Sequence, residues 1–184
     1  MLNSHKKPVI NKIKTMAKSK LFEIESVDLT FSNGVKRQYE RLSPKNHRSV
    51  MIIPMLDDET MLMIREYSVG IEDYTLSFPK GLVEKNETIF EGANRELMEE
   101  VGKGAKKFEA LTSMMLSPNY MKHNIEIIIA SDLYDQKLEG DEPEALEVVP
   151  WKVKDVDLLL AQPDVVEART IAVALILWKR LIQA

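Results

Sequence analysis

Residues 81–102 read GLVEKNETIFEGANRELMEEVG, and this stretch decides the fold. Thr88 with Glu91 three positions later forms a capping-box pattern, so a helix is expected to start at Thr88. Gly102 is placed to end it, because glycine tolerates left-handed backbone at a helix C-terminus. Between them Phe90, Ala93, Leu97 and Val101 recur at three- and four-residue spacing and form one apolar stripe. Arg95, Glu96, Glu99 and Glu100 lie on the other side. Glu96 and Glu100 are four apart, so their carboxylates stack on one face and repel. A hard divalent cation between them would turn that repulsion into ligation, with Glu99 able to join. Taken alone, the three acids read equally as a solvated helix face.

Outward from this helix the chain reads mostly as strands. Phe22–Phe31 and Val35–Leu42 flank Ser32-Asn33-Gly34, a strong hairpin signal in which both turn residues are expected at positive φ. Val50–Leu56 and Met61–Tyr67 read as a second hairpin around Asp57-Asp58-Glu59. Their near-continuous apolar character indicates strands covered on both faces. Further strands are expected near Tyr74–Phe78, Phe108–Leu116, Ile125–Ala130 and Leu146–Trp151, and a helix over about Val165–Ile182. Strands before, between and after two principal helices predict an α+β fold, an α/β/α sandwich with a mixed central sheet between helices and an N-terminal β-hairpin extension. The expected organisation is a basic N-terminal arm over 1–20, a hairpin subdomain over 21–45 and a main domain over 46–184.

The composition of the 184 residues is that of a globular protein, with 45% hydrophobic and 29% charged. The net charge of −4 argues against phosphate-neutralising nucleic-acid binding. It leaves room for a phosphate-bearing small molecule, since bound metals reverse the local sign. With no cysteine there is no disulfide, thiolate site or cysteine nucleophile, which fits a reducing, cytoplasmic location. The longest apolar run, Ile171–Trp178, is far short of a membrane span, and the N-terminus has no signal-peptide core. Lys6, Lys7, Lys12, Lys14, Lys18 and Lys20 precede the first acid, Glu23, and are read as a solvated arm. His5, His47 and His123 lack metal-ligand spacing.

The pattern Gly81-x5-Glu87-x7-Arg95-Glu96-Leu97-x-Glu99-Glu100-x-Gly102 resembles the Nudix box, G-x5-E-x7-R-E-U-x-E-E-x-G-U with U aliphatic. Only the final U departs, being Lys103. The resemblance implies a hydrolase that uses Mg²⁺ or Mn²⁺, two to three ions per site. It implies Glu96 and Glu100 as the main carboxylate ligands, Glu99 as a further ligand, and the backbone carbonyl of Lys80 as another. It also implies a Glu87–Arg95 pair in which the arginine orients the acid. The chemistry explains the acids: metal ions neutralise a pyrophosphate, lower the pKa of a bound water and steady the leaving oxygen, while a carboxylate accepts the proton.

Within the family the chain resembles the dimeric ADP-ribose pyrophosphatase branch. Ile64-Arg65-Glu66-Tyr67 is similar to its V-R-Q-Y motif with Glu66 for glutamine. Ser117-Pro118 is similar to its S-P-G element with Asn119 for glycine. Asp141-Glu142-Pro143-Glu144-Ala145-Leu146-Glu147 resembles its acidic loop. Ser77 stands where many members carry glutamate. The resemblance implies ADP-linked substrates (ADP-ribose, NADH, short diadenosine polyphosphates), AMP as a product and a homodimer. It implies Glu142 as general base, with Glu99 as the rival, and Glu144 as a supplementary metal ligand. Arg65 is a candidate for a substrate phosphate or for a strand-edge ion pair; Tyr39 and Tyr67 are candidates to stack on adenine. A silent nucleotide-sensing module would be favoured by loss of a box acid, and none is lost. A prenyl-diphosphate isomerase would need a cysteine.

Overall fold

The computed structural model describes residues 6–44 and 48–182; His5 and His47 lie outside them. The chain divides into two units, residues 1–46 with 115–123 and residues 47–114 with 124–184.

The smaller unit is a three-stranded antiparallel sheet in the order β1-β2-β3, formed by Val9–Lys18 (β1), Glu23–Thr30 (β2) and Lys36–Leu42 (β3). The hairpin is there, but its turn differs from expectation. Gly34 alone has positive φ (81°), the Gly34 amide bonds to the Phe31 carbonyl, and Asn33 Oδ1 accepts from the Val35 amide. The Phe31 amide bonds to the Val35 carbonyl, so the loop is Ser32-Asn33-Gly34 as expected, with one positive φ in place of two. The arm expected over 1–20 needs correction too. Its lysines are solvated, but Val9–Lys18 is a strand because the open edge of β2 offers its backbone groups a ladder. Residues 115–123 also join this unit, where the Leu42 amide donates to the Tyr120 carbonyl at 2.8 Å. The sequence put them in the main domain.

The larger unit contains a mixed four-stranded sheet, β7-β4-β9-β8, and a three-stranded one, β10-β5-β6. The strands are Arg48–Pro54 (β4), Thr60–Ser68 (β5), Asp73–Ser77 (β6), Lys80–Val83 (β7), Lys103–Met115 (β8), Asn124–Asp135 (β9) and Glu147–Lys152 (β10). Helices span Ile89–Glu100 (α1), Val156–Leu160 (α2) and Ala168–Ile182 (α3). β4 pairs parallel with β9 and antiparallel with β7. With both edges taken, β4 has no ladder left for β5, and a single bridge, Met55↔Met61, replaces the expected second hairpin.

Side chains of β4 alternate between two cores. Val50 and Ile52 meet Ala93 and Leu97 of α1; Met51 and Ile53 meet Met63, Phe78, Val173 and Leu177 on the other side. This double covering is why the strand reads as unbroken apolar sequence. The α+β class and the helix–sheet–helix layering hold, with the central layer split into two sheets. α1 thus lies against β4 and β7, with Glu96 beside Gly81 and Glu100 on the Lys80 amide of β7.

Candidate active site

The box helix forms as its sequence dictates. Thr88 Oγ1 accepts from the Glu91 amide at 3.2 Å, and the Glu91 carboxylate accepts from the Thr88 amide at 2.8 Å. Such a cap stabilises a helix by about 0.5–2 kcal/mol. Gly102, at φ 74°, ends it. Lys103, the one departure from the box, opens β8 and pairs with Asp135 at 2.7 Å.

Arg95 is the hub of the helix face. Nε and Nη2 donate to the two oxygens of Glu87 (2.8 and 3.2 Å), and Nη1 donates to Glu96 (2.8 Å) and Glu99 (2.9 Å). Nη2 also donates to the Leu82 carbonyl at 2.7 Å. All five N–H donors of the guanidinium are engaged, so its geometry is that of a positioning group. These bonds raise the Arg95 pKa, and the same pairing holds Glu87 below the usual carboxylate range. Glu87 also accepts from the Glu84 amide, which closes the loop before the helix.

Glu96 and Glu100 carry less compensation. Glu96 is 9% exposed and receives one arginine donor. Glu100 accepts the Lys80 amide at 3.1 Å and, among the described residues, has no ion pair within 4 Å. Burial pushes both upward, Glu100 to about 8. Gly81 runs so close that a Cβ there would lie 2.1 Å from the Glu96 carboxyl carbon.

A loop over residues 136–146 faces these acids. It is seated by the Leu138 amide on the Met98 carbonyl and by Gly140 against Glu99. Glu96, Glu99, Glu100, Asp141, Glu142 and Glu144 line a cleft of about 350 Å³. Tyr74 Oη donates to Glu144 at 2.6 Å. No described residue bonds to the Glu142 carboxylate, whose pKa is raised first by burial and then by Glu66. Lys80 Nζ pairs with Glu66 at 2.5 Å and reaches Ser77 Oγ at 3.4 Å.

The structure thus brings together Lys80, Glu87, Arg95, Glu96, Glu99, Glu100, Glu142 and Glu144. Arg65 is used elsewhere. Its guanidinium binds Glu147 and, at 3.0 Å, Asp164, the strand-edge ion-pair alternative. Tyr67 stands edge-on to Tyr74 and Tyr39 to Phe31, at 5.5 and 6.5 Å. Glu66, Tyr74 and Asp141 are site neighbours to which the sequence attached no role. The substitution of Glu66 for glutamine was the available signal for one of them.

The donor set suits a hard divalent cation: one buried and one part-buried carboxylate with little compensation, a third beside them, and all-oxygen chemistry. Among the described residues no three acids or histidines enclose an ion by themselves. The face is open, which suits an ion that keeps waters and takes substrate oxygens.

The burial of Glu100 has a measurable consequence without metal. Its folded pKa, about 8, exceeds the ordinary 4.5. Between these values the folded chain holds a proton that the unfolded chain releases, so the contribution of Glu100 to stability is complete below 4.5 and lost as pH rises through about 8. Thermal melts in chelator should show Tm falling across that window, with a flatter profile for Glu100→Gln. Identical profiles would refute the burial effect.

Residues 45–172 match the NUDIX domain and residues 8–41 the NudE-type Nudix hydrolase N-terminal domain. The chain belongs to the Nudix hydrolase family, whose members generally use divalent metal ions. Over 172 residues it is 48% identical to ADP compounds hydrolase NudE of Escherichia coli (strain K12), covering 94% of this chain and 92% of that one. Over 166 residues it is 28% identical to ADP-ribose pyrophosphatase of Bacillus subtilis (strain 168), covering 85% and 88%. A crystal structure of an ADP compounds hydrolase matches with a TM-score of 0.92 at 46% identity, covering 98% of this chain and 97% of that one.

Proposed function

We propose that this Nudix hydrolase cleaves the pyrophosphate bond of ADP-linked compounds, among them ADP-ribose, NADH and short diadenosine polyphosphates, and releases AMP. The observation that carries the reading is the pair of under-compensated carboxylates, buried Glu96 and part-buried Glu100, facing the free carboxylate of Glu142 across one cleft. The likeness to the two ADP-linked hydrolases supports the substrate class.

Two to three Mg²⁺ or Mn²⁺ ions, when bound, neutralise the pyrophosphate and acidify water. Glu96, Glu100, Glu99, the Lys80 carbonyl and Glu144 would hold them. Arg95 and Glu87 orient the acids and the loop before the helix. Glu142 removes the proton from the attacking water, with Glu99 as its rival. Glu99 is tethered by Arg95 and Glu144 by Tyr74, which supports Glu142 as the acid free to move. The two-acid clamp on Arg65 supports a positioning role in place of phosphate contact. A panel of ADP-linked compounds assayed with Mg²⁺ and Mn²⁺, with products identified, tests the proposal. Release of AMP is expected, and no turnover of any of them would overturn it.

We further assign a cytoplasmic enzyme that acts as a homodimer. Among the described residues no helix is long and apolar enough to cross a membrane. The smaller unit exposes Val9, Ile10, Ile13, Met16 and Phe22. Small isolated sheets are marginal without packing, and apolar patches of this kind mark contacts. Light scattering at micromolar concentration should give twice the 21.1 kDa chain mass; a monomer would reject this assignment.

A further inference from the structure

Two departures from the family pattern, Glu66 and Ser77, meet at one atom. Lys80 Nζ lies 2.5 Å from Glu66 and 3.4 Å from Ser77 Oγ. Both charged side chains are about three-quarters withdrawn from solvent. The same residue's backbone amide holds Glu100 at 3.1 Å, so the ammonium hangs on a flexible stem that starts beside that carboxylate. Its charge already acts on Glu100 and Glu142. A partly buried ammonium needs a partner. Without Glu66, Glu100 and Glu142 are acids on which its charge acts.

We propose that Glu66 is a positioning residue for the metal site, holding the Lys80 ammonium back so that it does not occupy Glu100 in place of a divalent cation. This rests on the assignment of Glu96 and Glu100 as metal ligands. Glu66 does not touch the ion; it acts through Lys80. Removing its charge turns Lys80 into an internal competitor, and removing the Lys80 ammonium as well abolishes the competition.

The test is Mn²⁺ binding to the full chain without substrate, followed by the electron paramagnetic resonance signal of free Mn²⁺, with thermal melts to verify folding. Glu66→Gln should weaken binding at least about tenfold, in the range for residues that orient metal ligands. The double variant Glu66→Gln/Lys80→Met should return to within about threefold of wild type, the signature of coupling between neighbours. Lys80→Met alone should bind as well as wild type or better. Unchanged affinity in Glu66→Gln overturns the proposal. So does a double variant as weak as the single one, which would mean that Glu66 contacts the ion itself. If Glu66→Gln does not fold, Lys80→Met decides, and weakened binding there refutes the role. Glu100→Gln separates the underlying reading: if it binds Mn²⁺ as wild type does, the ligand assignment fails and the role of Glu66 falls with it.

Discussion

Glu96→Gln and Glu100→Gln are each expected to lower kcat by at least about a hundredfold, the lower end for loss of one electrostatic group from a preorganised site. The amide keeps the shape of the side chain and removes its charge. At position 100 it would still accept the Lys80 amide, so the helix and β7 should keep their relation while the site loses a ligand. At position 96 an amide nitrogen turned towards Arg95 would also disturb the hub. Steady-state rates of the purified, folded variants decide the matter; near-normal turnover by either one would sink the metal assignment.

Glu142→Gln should cut kcat strongly while leaving KM and metal affinity little changed, the pattern of an interaction made mainly in the transition state. The raised pKa of Glu142 moves it towards the range in which a general base works best at neutral pH. Loops commonly carry such groups onto a rigid platform and exclude water as they close. Glu144→Gln, two residues on, should instead alter metal dependence. A Glu142→Gln enzyme keeping more than a tenth of its rate has lost less than about 1.4 kcal/mol of barrier reduction. That is too little for a sole base, and the role would pass to Glu99.

The sequence was most legible where one physical demand acts alone. The box helix has its cap and glycine stop within 81–102, and both formed; of its stripe Ala93 and Leu97 are buried and Val101 partly so, while Phe90 is exposed. β4 announced its double burial by composition. Legibility failed where pairing depends on a distant competitor. The second hairpin looked local, but β9, arriving some seventy residues later, takes the edge that β5 would need. β1 was hidden because its lysines read as solvated, which they are, while its backbone answers to β2. Within the site the spacing put the box acids on one helix face and the resemblance implied their role, but Glu66, Tyr74 and Asp141 come from separate elements, and only folding brings them beside the site acids.

Gly81 limits how this site can change over time. Its φ is not in the left-handed region, so the backbone would accept another residue; the obstacle is the Glu96 carboxyl group filling the volume that a Cβ needs. Any first step away from glycine must displace a metal-ligand candidate, and a step that shortens Glu96 to make room withdraws the same carboxylate. The two positions, fifteen residues apart, are sterically coupled. A side chain at position 81 can be accommodated only if the one at position 96 gives way.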